Sequence, residues 1–531
     1  MLYFIPAWYQ DNLWCENEQV WYTRRMHTEF DDTVKQIQLF HRNGTYPCRI
    51  LLLSFTPNLR HFLHRQGVYH APYWSCFDAI QEVQRKKVML LSYHNLNWPE
   101  HTEFMYTPFA IVAWVNGAKY AQIEFAEDGN PIQIDMYREE QLIRRNIYDD
   151  RGFVSSTLIY EAGQLIYQDY LTEHGVWKIR VYEGDGHVEV NPNADTYMIS
   201  YGEKEIVHKF SKGRYQNLEE VIGEVFGSYI ACTQEEDIFC AAMHRLHTKV
   251  LMERLKGRKT ILSFFEDRYP LYEQQNVAEF LAAADYMITD SKENSESIEA
   301  FLGRKCSNLT DMTPYDARQD FGVSRQLSVQ KILVPVDGME ESLFADLIGL
   351  LAEYLKQNEN ARVHLFTRQA DARRKSRLLA KAADILQTAG YEPQLAEEEE
   401  TLQTAENAVD EEEGIKPRFT VEQCIDEIEV SRCMREQRII VDVRPVSDLY
   451  LQISGISVGI PQIIRMQTQY VEHGKNGYVL EDLCRLPKVL AFYLESLSNW
   501  NEAMIWAAEI GKRFTTEQLM EQWEEVIEAI G

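Results

Sequence analysis

The sequence predicts two doubly wound α/β domains facing a cleft, the first interrupted by an antiparallel β-meander. Three observations predict it. Apolar runs separated by helix-length segments occur near the N-terminus and return after Tyr215. Between about Phe109 and Phe210 the helical period vanishes and turn glycines recur instead. A second series of alternating strands and amphipathic helices then starts at Lys331. At 531 residues the chain is too long for one core, and 45% hydrophobic content can fill two or three. The expected boundaries are 1–105 plus 215–320 for the first Rossmann-like domain and 106–214 for the meander. Those for the second Rossmann-like domain are 321–510, followed by a closing helix over 511–531.

The elements follow in chain order. Leu2–Trp8, RILLLSF (Arg49–Phe55) and KVMLLSY (Lys87–Tyr93) read as parallel strands, with helical patterning from Thr28 to Phe40. In the meander, Gly152, Gly163, Gly175 and Gly186 lie 11 to 12 residues apart. Gly129 precedes them by two such periods, so a turn without glycine is expected near Glu139. Phe125, Tyr148, Tyr160, Tyr170 and Tyr182 each precede a turn. This pattern predicts six or seven hairpin-linked strands. NLEEVIGEVF (Asn217–Phe226) reads as a helix, while TILSFFEDR (Thr260–Arg268) and ADYMITDS (Ala284–Ser291) read as strands. Asn294 or Ser295 is placed to cap the next helix. Thr313–Gln330 reads as a linker. Strands are expected at KILVPVDGM (Lys331–Met339), ARVHLFTR, RIIVDVR and PQIIRM, with helices at ESLFADLIGLLAEYL and at LLAKAADILQTAG, which ends on Gly390. The acidic block Glu397–Gly414, near 396–414, is expected to be a solvated loop within the second domain.

Composition narrows the function. A formal net charge of −28 argues against nucleic acid as a partner. Nine scattered cysteines without a Cys-x-x-Cys predict free thiols in a reducing compartment. The N-terminus carries no basic leader and no apolar run is long enough to span a bilayer, so a cytoplasmic location is expected. Neither a nucleophilic hydrolase nor a motor ATPase is expected, and there is no G-x-x-x-x-G-K loop. Cys240, His244 and His247 have a spacing that would let one helix face present them to zinc, but a packed face is the commoner use of that pattern. His61 and His64 with Arg60 and Arg65 could form a small basic patch, and Trp14, Trp21 and Trp74 could line a first-domain cleft. No cofactor and no metal are expected.

The stretch Ile439–Glu525 resembles the last third of the second domain of GT-B glycosyltransferases. VGIPQII resembles that family's strand-entering G-x-P phrase, and YVEHGKNGYVL (Tyr470–Leu480) resembles the loop that follows. The Phe514–Trp523 helix resembles the closing segment. The resemblance implies a fold, and fold alone does not imply activity. By this likeness the donor-contacting acidic pair would fall at Val446 and Ser454, with Asp448 two residues out of register. The diphosphate-binding Arg and Lys would fall in VPVDGMEES, which offers Asp337, Glu340 and Glu341 instead. Likewise the first-domain Gly-rich turn is replaced by QDNLWCENEQ. His473, Gly474 and Asn476 are the candidate ligand contacts of a vestigial donor cleft, and no catalytic residue is expected.

With YFIPAWY at its start and YDDRGF in its meander, the whole chain resembles the glycosyltransferase-like accessory Sec proteins, the first of three Asp components. The resemblance implies a non-catalytic role in exporting serine-rich-repeat glycoproteins. Implied partners are the other two Asp components, an accessory motor ATPase and the glycoprotein substrate, with possible peripheral contact at the cytoplasmic face of the membrane. The competing expectations are an active retaining transferase using a UDP-sugar and a glycan-binding module.

Overall fold

The computed structural model describes residues 1–10, 12–15, 30–44, 46–273, 277–396 and 417–531. The acidic block Glu397–Gly414 and Trp21 lie outside the described residues. The chain forms two compact units. One comprises Met1–Thr23, Asp31–Asp311 and Val526–Gly531, the other Arg24–Phe30 and Met312–Glu525.

The first unit is built on a seven-stranded parallel sheet. From one edge to the other its strands are Leu309–Asp311, Tyr286–Thr289, Lys259–Phe264, Ile238–Ala242, Leu2–Ile5, Cys48–Leu52 and Tyr73–Ser75. The strand order reverses between Leu2–Ile5 and Ile238–Ala242, the switch point of a doubly wound sheet. Buried aromatics hold the middle, with Tyr3 stacked on Phe239 at 5.1 Å. The run KVMLLSY is not a strand: the third strand is the three-residue Tyr73–Ser75. Lys87–Tyr93 instead crosses the meander, where the Met89 N–H donates to the Asp150 carbonyl at 3.0 Å. Leu91 and Tyr93 help cover Ala121, Ile123 and Ile134 of the meander sheet.

The meander is an antiparallel sheet of ten strands, from Thr102–Tyr106 to Arg214–Tyr215, with a separate hairpin of Thr196–Tyr201 and Lys204–Lys209. It is larger than the sequence predicts, because strands such as Val188–Val190 and Arg214–Tyr215 are too short to show alternation. The glycine-free turn falls where expected: Glu139 and Glu140 both have positive φ, 50° and 62°, as a tight hairpin requires. The YDDRGF motif seats the sheet. Asp149, Asp150 and Arg151 are buried. Arg60 Nη2 donates to Asp149 Oδ1 at 3.0 Å, the Arg60 N–H to Asp150 Oδ2 at 2.9 Å, and Arg151 Nη2 to Asp78 Oδ1 at 2.7 Å. Arg60 is therefore an internal cation. His61 and Arg65 face Glu127, at 3.9 and 3.4 Å, so the cations of RHFLHR lie against carboxylates rather than forming the basic patch that is one reading of the motif.

The cap of helix Lys292–Leu302 is Ser291, whose Oγ accepts from the Asn294 N–H; neither Asn294 nor Ser295 is the cap.

The second unit carries a six-stranded parallel sheet. Its order is Phe419–Gln423, Ala361–Thr367, Gln330–Pro335, Gln437–Asp442, Gln462–Ile464 and Gly477–Val479. Its switch point lies between Gln330–Pro335 and Gln437–Asp442. Glu341–Gln357 buries Phe344, Leu347, Ile348 and Leu351, which meet Ile332, Val334 and Val363 of the sheet in one core. The closing helix is Thr516–Ile530. Among the described residues, no helix is long and apolar enough to cross a membrane.

Candidate functional site

In open α/β sheets ligands bind beyond the carboxyl ends of the strands at the switch point. Each unit has such a place.

In the first unit, Ile5 leads to Trp8 and Tyr9, and Ala242 leads to His244 and His247. Cys240 lies on the strand and the next helix begins only at Thr248, so Cys240, His244 and His247 share no helix face. His247 is buried, with Nε2 2.8 Å from the Ala242 carbonyl and Nδ1 2.9 Å from the Tyr9 hydroxyl. A carbonyl can only accept, so the proton sits on Nε2 and Tyr9 donates to Nδ1. Burial, with His244 beside it, pushes the His247 pKa down to about 3. Both ring nitrogens are satisfied in the neutral form, which leaves none for a metal.

Beside them Arg268 reaches Asp31 at 3.0 Å and Asp32 at 2.6 Å. Trp8 Nε1 donates to Asp31 and Ser263 Oγ to Asp32. Burial raises Asp31 to about 6, helped by Asp32 and opposed by Arg268. For Asp32 burial is outweighed by Arg268, and its pKa is lowered. Of the candidate tryptophans, Trp74 is in the core, stacked on Tyr229 at 4.3 Å, while half-buried Trp14 packs its ring against Tyr9.

In the second unit the switch point is occupied by charge pairs. Arg444 binds Asp442 through Nε at 2.8 Å and Nη2 at 2.7 Å, and its Nη1 donates to the Asp337 carbonyl at 2.8 Å. Arg374 meets Asp337 at 3.0 Å, and Arg368 meets Asp448 at 3.0 Å. Arg368 also lies over the Phe30 ring at 4.2 Å. Three guanidinium groups thus face three carboxylates of the same chain. Burial disfavours the Arg444 charge, but Asp442 overcomes this and holds its pKa above the usual arginine range. Asp448 caps helix Leu449–Val458 by accepting from the Leu451 N–H. Val446 is 82% exposed and makes no part of this network. A cavity of about 360 Å³ alongside is lined by Glu340, Asp346 and Glu481 against one cation, Arg465.

The loop Glu472–Gly477 brings His473, Gly474 and Asn476 into one turn. Asn476 is wholly buried: its Nδ2 donates to the Tyr470 carbonyl at 2.8 Å and its Oδ1 accepts from the Glu472 N–H at 2.9 Å. His473 Nδ1 accepts from the Val479 N–H at 3.1 Å. Gly474, at φ 76°, lines a cavity of about 520 Å³ with Lys475, Tyr478, Arg485, Lys488 and Phe492.

The Arg–Asp pairs escaped sequence reasoning, although the Asp-x-Arg of RIIVDVR hinted at one. So did GISVG (Gly455–Gly459), which matches the Gly-x-Ser-x-Gly pattern of hydrolase nucleophiles. Ser457 is no elbow: it lies in helix Leu449–Val458, with Oγ donating to the Ile453 carbonyl and accepting from the Arg318 N–H.

The profile of the accessory Sec system proteins that form the first Asp component matches residues 1–529. The chain belongs to this family. The accessory Sec system protein of the same family from Streptococcus gordonii is 32% identical over 530 residues, 99% of this chain and 98% of that one. The crystal structure of accessory secretory proteins 1, 2 and 3 from Streptococcus pneumoniae contains a chain of 28% identity and TM-score 0.80, covering 100% of this chain and 99% of that one. The pneumococcal O-GlcNAc transferase GtfA, solved with UDP and GlcNAc, is only 10% identical, yet it reaches a TM-score of 0.70 over 100% of this chain and 98% of its own. The expected GT-B-like fold, with its inserted antiparallel sheet, is therefore that of this chain. Membership gives the chain a role in the accessory Sec system.

Proposed function

We propose that this chain is a non-catalytic binding component of an accessory Sec export assembly. The observation that carries the reading is the internal pairing at the second switch point. A donor diphosphate needs uncommitted cations as charge builds on the leaving group. Arg368, Arg374 and Arg444 are committed to Asp448, Asp337 and Asp442. The adjoining cavity presents an excess of carboxylates.

The partners that fit are the other two Asp components, as the pneumococcal structure of proteins 1, 2 and 3 supports by analogy. The serine-rich-repeat glycoprotein and the motor ATPase follow as further partners, at the cytoplasmic side of the membrane. The meander supplies a docking surface. Its edge strand Thr102–Tyr106 pairs on one side only, and Met105, Tyr106 and Phe109 near it are exposed.

Two tests decide. Calorimetric titration with UDP and UDP-N-acetylglucosamine, alongside a hydrolysis assay, is expected to give neither heat nor turnover up to millimolar nucleotide. The buried Nε–H groups of Arg368 and Arg374 lack partners, which makes this titration a demanding one. Micromolar binding with turnover would establish a transferase. Co-purification with the other two components is expected to weaken in M105K/Y106K, and unchanged recovery would move the docking surface elsewhere.

A further inference from the structure

At the outer edge of the second unit's sheet, strand Phe419–Gln423 runs directly into Cys424, and helix Glu427–Glu436 returns Cys433 beside it. The ligand-type atoms of Glu422, Cys424 and Cys433 all lie within 4.8 Å of one another. Tetrahedral zinc, with Zn–S near 2.3 Å and Zn–O near 2.0–2.2 Å, places its ligand atoms roughly 3.5–3.8 Å apart. The cluster needs only small side-chain movements to reach that spacing. Cys424 is buried, Cys433 is half-buried, and the Glu422 side chain is 38% exposed, so the cluster has a solvent-facing entrance.

His364, on the neighbouring strand, holds Glu422 with Nδ1 3.1 Å from its carboxylate. Gln437 is 1% exposed and packs against the sulfur, with Nε2 3.5 Å from Cys433 Sγ and 3.0 Å from the Cys433 carbonyl. Its Oε1 has no hydrogen-bond partner. A buried acceptor without a donor is costly, and this one belongs to a side chain that touches Cys433; a metal-bound water is a donor of the kind it lacks.

We propose that Glu422, Cys424 and Cys433 form a zinc site with His364 positioning Glu422 and a fourth position left to water. Two thiolates and one carboxylate favour zinc over magnesium or calcium, which take oxygen ligands. Binding releases the two thiol protons to the buffer, so affinity rises with pH through the thiol range. The site is separate from both switch points and ties the edge strand to its following helix.

The test uses the full chain, reduced and stripped of metal, then titrated with Zn²⁺ against a chromophoric chelator. Cobalt substitution supplies a sulfur-to-metal charge-transfer band as an independent readout. One zinc per chain is expected, abolished in C424S/C433S and weakened at least tenfold in E422Q, with the cobalt band present in wild type. Should C424S/C433S fail to fold, zinc protection of Cys424 and Cys433 from alkylation, mapped by peptide mass spectrometry, decides in the wild-type chain. No uptake, equal uptake in a folded C424S/C433S, or unprotected thiols would overturn the site. So would a native Cys424–Cys433 disulfide that persists under cytosolic reducing conditions.

Discussion

Replacing Asp442 by alanine tests whether the arginines at the second switch point are structural. Asp442 is 1% exposed. It accepts from Arg444 Nε at 2.8 Å, Arg444 Nη2 at 2.7 Å, the Arg444 N–H at 3.3 Å and the Asp448 N–H at 3.0 Å. In D442A the guanidinium keeps only its bond to the Asp337 carbonyl. Stranding one member of a buried ion pair costs about 3–5 kcal/mol. The Arg444 side chain is 12% exposed, so little solvent is at hand to compensate. D442A is expected to lose about 3–4 kcal/mol, and D442N, which keeps one acceptor, about half as much. Urea unfolding followed by tryptophan fluorescence senses this unit through Trp500, whose indole N–H donates to the Arg438 carbonyl on the same strand as Asp442, alongside the chain's nine other tryptophans. Each unit is fitted with its own transition, since a two-unit chain need not unfold in one step. A loss below about 1 kcal/mol in D442A would refute the pairing argument. Micromolar UDP binding gained by D442N would show instead that Arg444 is a phosphate ligand held in reserve.

Three further outcomes follow from local geometry. A Cβ at Gly477 would run into the Gln462 carbonyl oxygen, whereas Gly474 has open space but a φ of +76°. G477A should therefore cost about 3 kcal/mol and G474A only about 1–2 kcal/mol, read from urea midpoints; equal losses would contradict the packing. In the meander, E139N/E140G places turn-compatible residues at φ 50° and 62° and should stabilise the first unit by about 1 kcal/mol or more; a loss would mean the turn is set by contacts rather than by backbone preference. Unfolded His247 takes up a proton near pH 6.5, but the folded residue resists until about pH 3. Wild-type stability should thus fall by about 1.4 kcal/mol per pH unit relative to H247Q as pH drops from 6.5 towards 4. Comparison with the variant cancels the opposite contribution of Asp31 and Asp150, both raised to about 6 and so protonated first in the folded chain. A flat difference would refute the neutral buried imidazole.

Long β-branched or aliphatic runs were legible because their burial on both faces writes itself into local sequence. Gln330–Pro335, Ala361–Thr367 and Gln437–Asp442 each begin within a residue of the runs that predict them. KVMLLSY misled because the same apolar run serves as a cover strip over a sheet. The true third strand, Tyr73–Ser75, is too short to carry a period. Arg60 read as surface because its partners lie some 90 residues away, at Asp149 and Asp150. The same distance hid the site: Arg444 meets the Asp337 carbonyl 107 residues back, and no local pattern records that meeting. The cysteine pair was equally silent, since Cys424 and Cys433 share no Cys-x-x-Cys spacing and become neighbours only through a strand–helix turn.

The phrase EHGKNGY has a geometric role in a chain whose second switch point is self-neutralised. Strand Gln462–Ile464 must pair with Gly477–Val479 to complete the sheet. The loop between them closes on itself: the Gly474 N–H donates to the Gly477 carbonyl at 2.9 Å and the Gln462 N–H to the Asn476 carbonyl at 3.1 Å. Asn476 spends both ends of its amide on the loop backbone. Only glycine fits at Gly477, against the Gln462 carbonyl. Lys475 and Arg513 then bind Glu472 at 2.6 and 2.7 Å. Sheet closure thus fixes the phrase whether or not a sugar nucleotide ever binds.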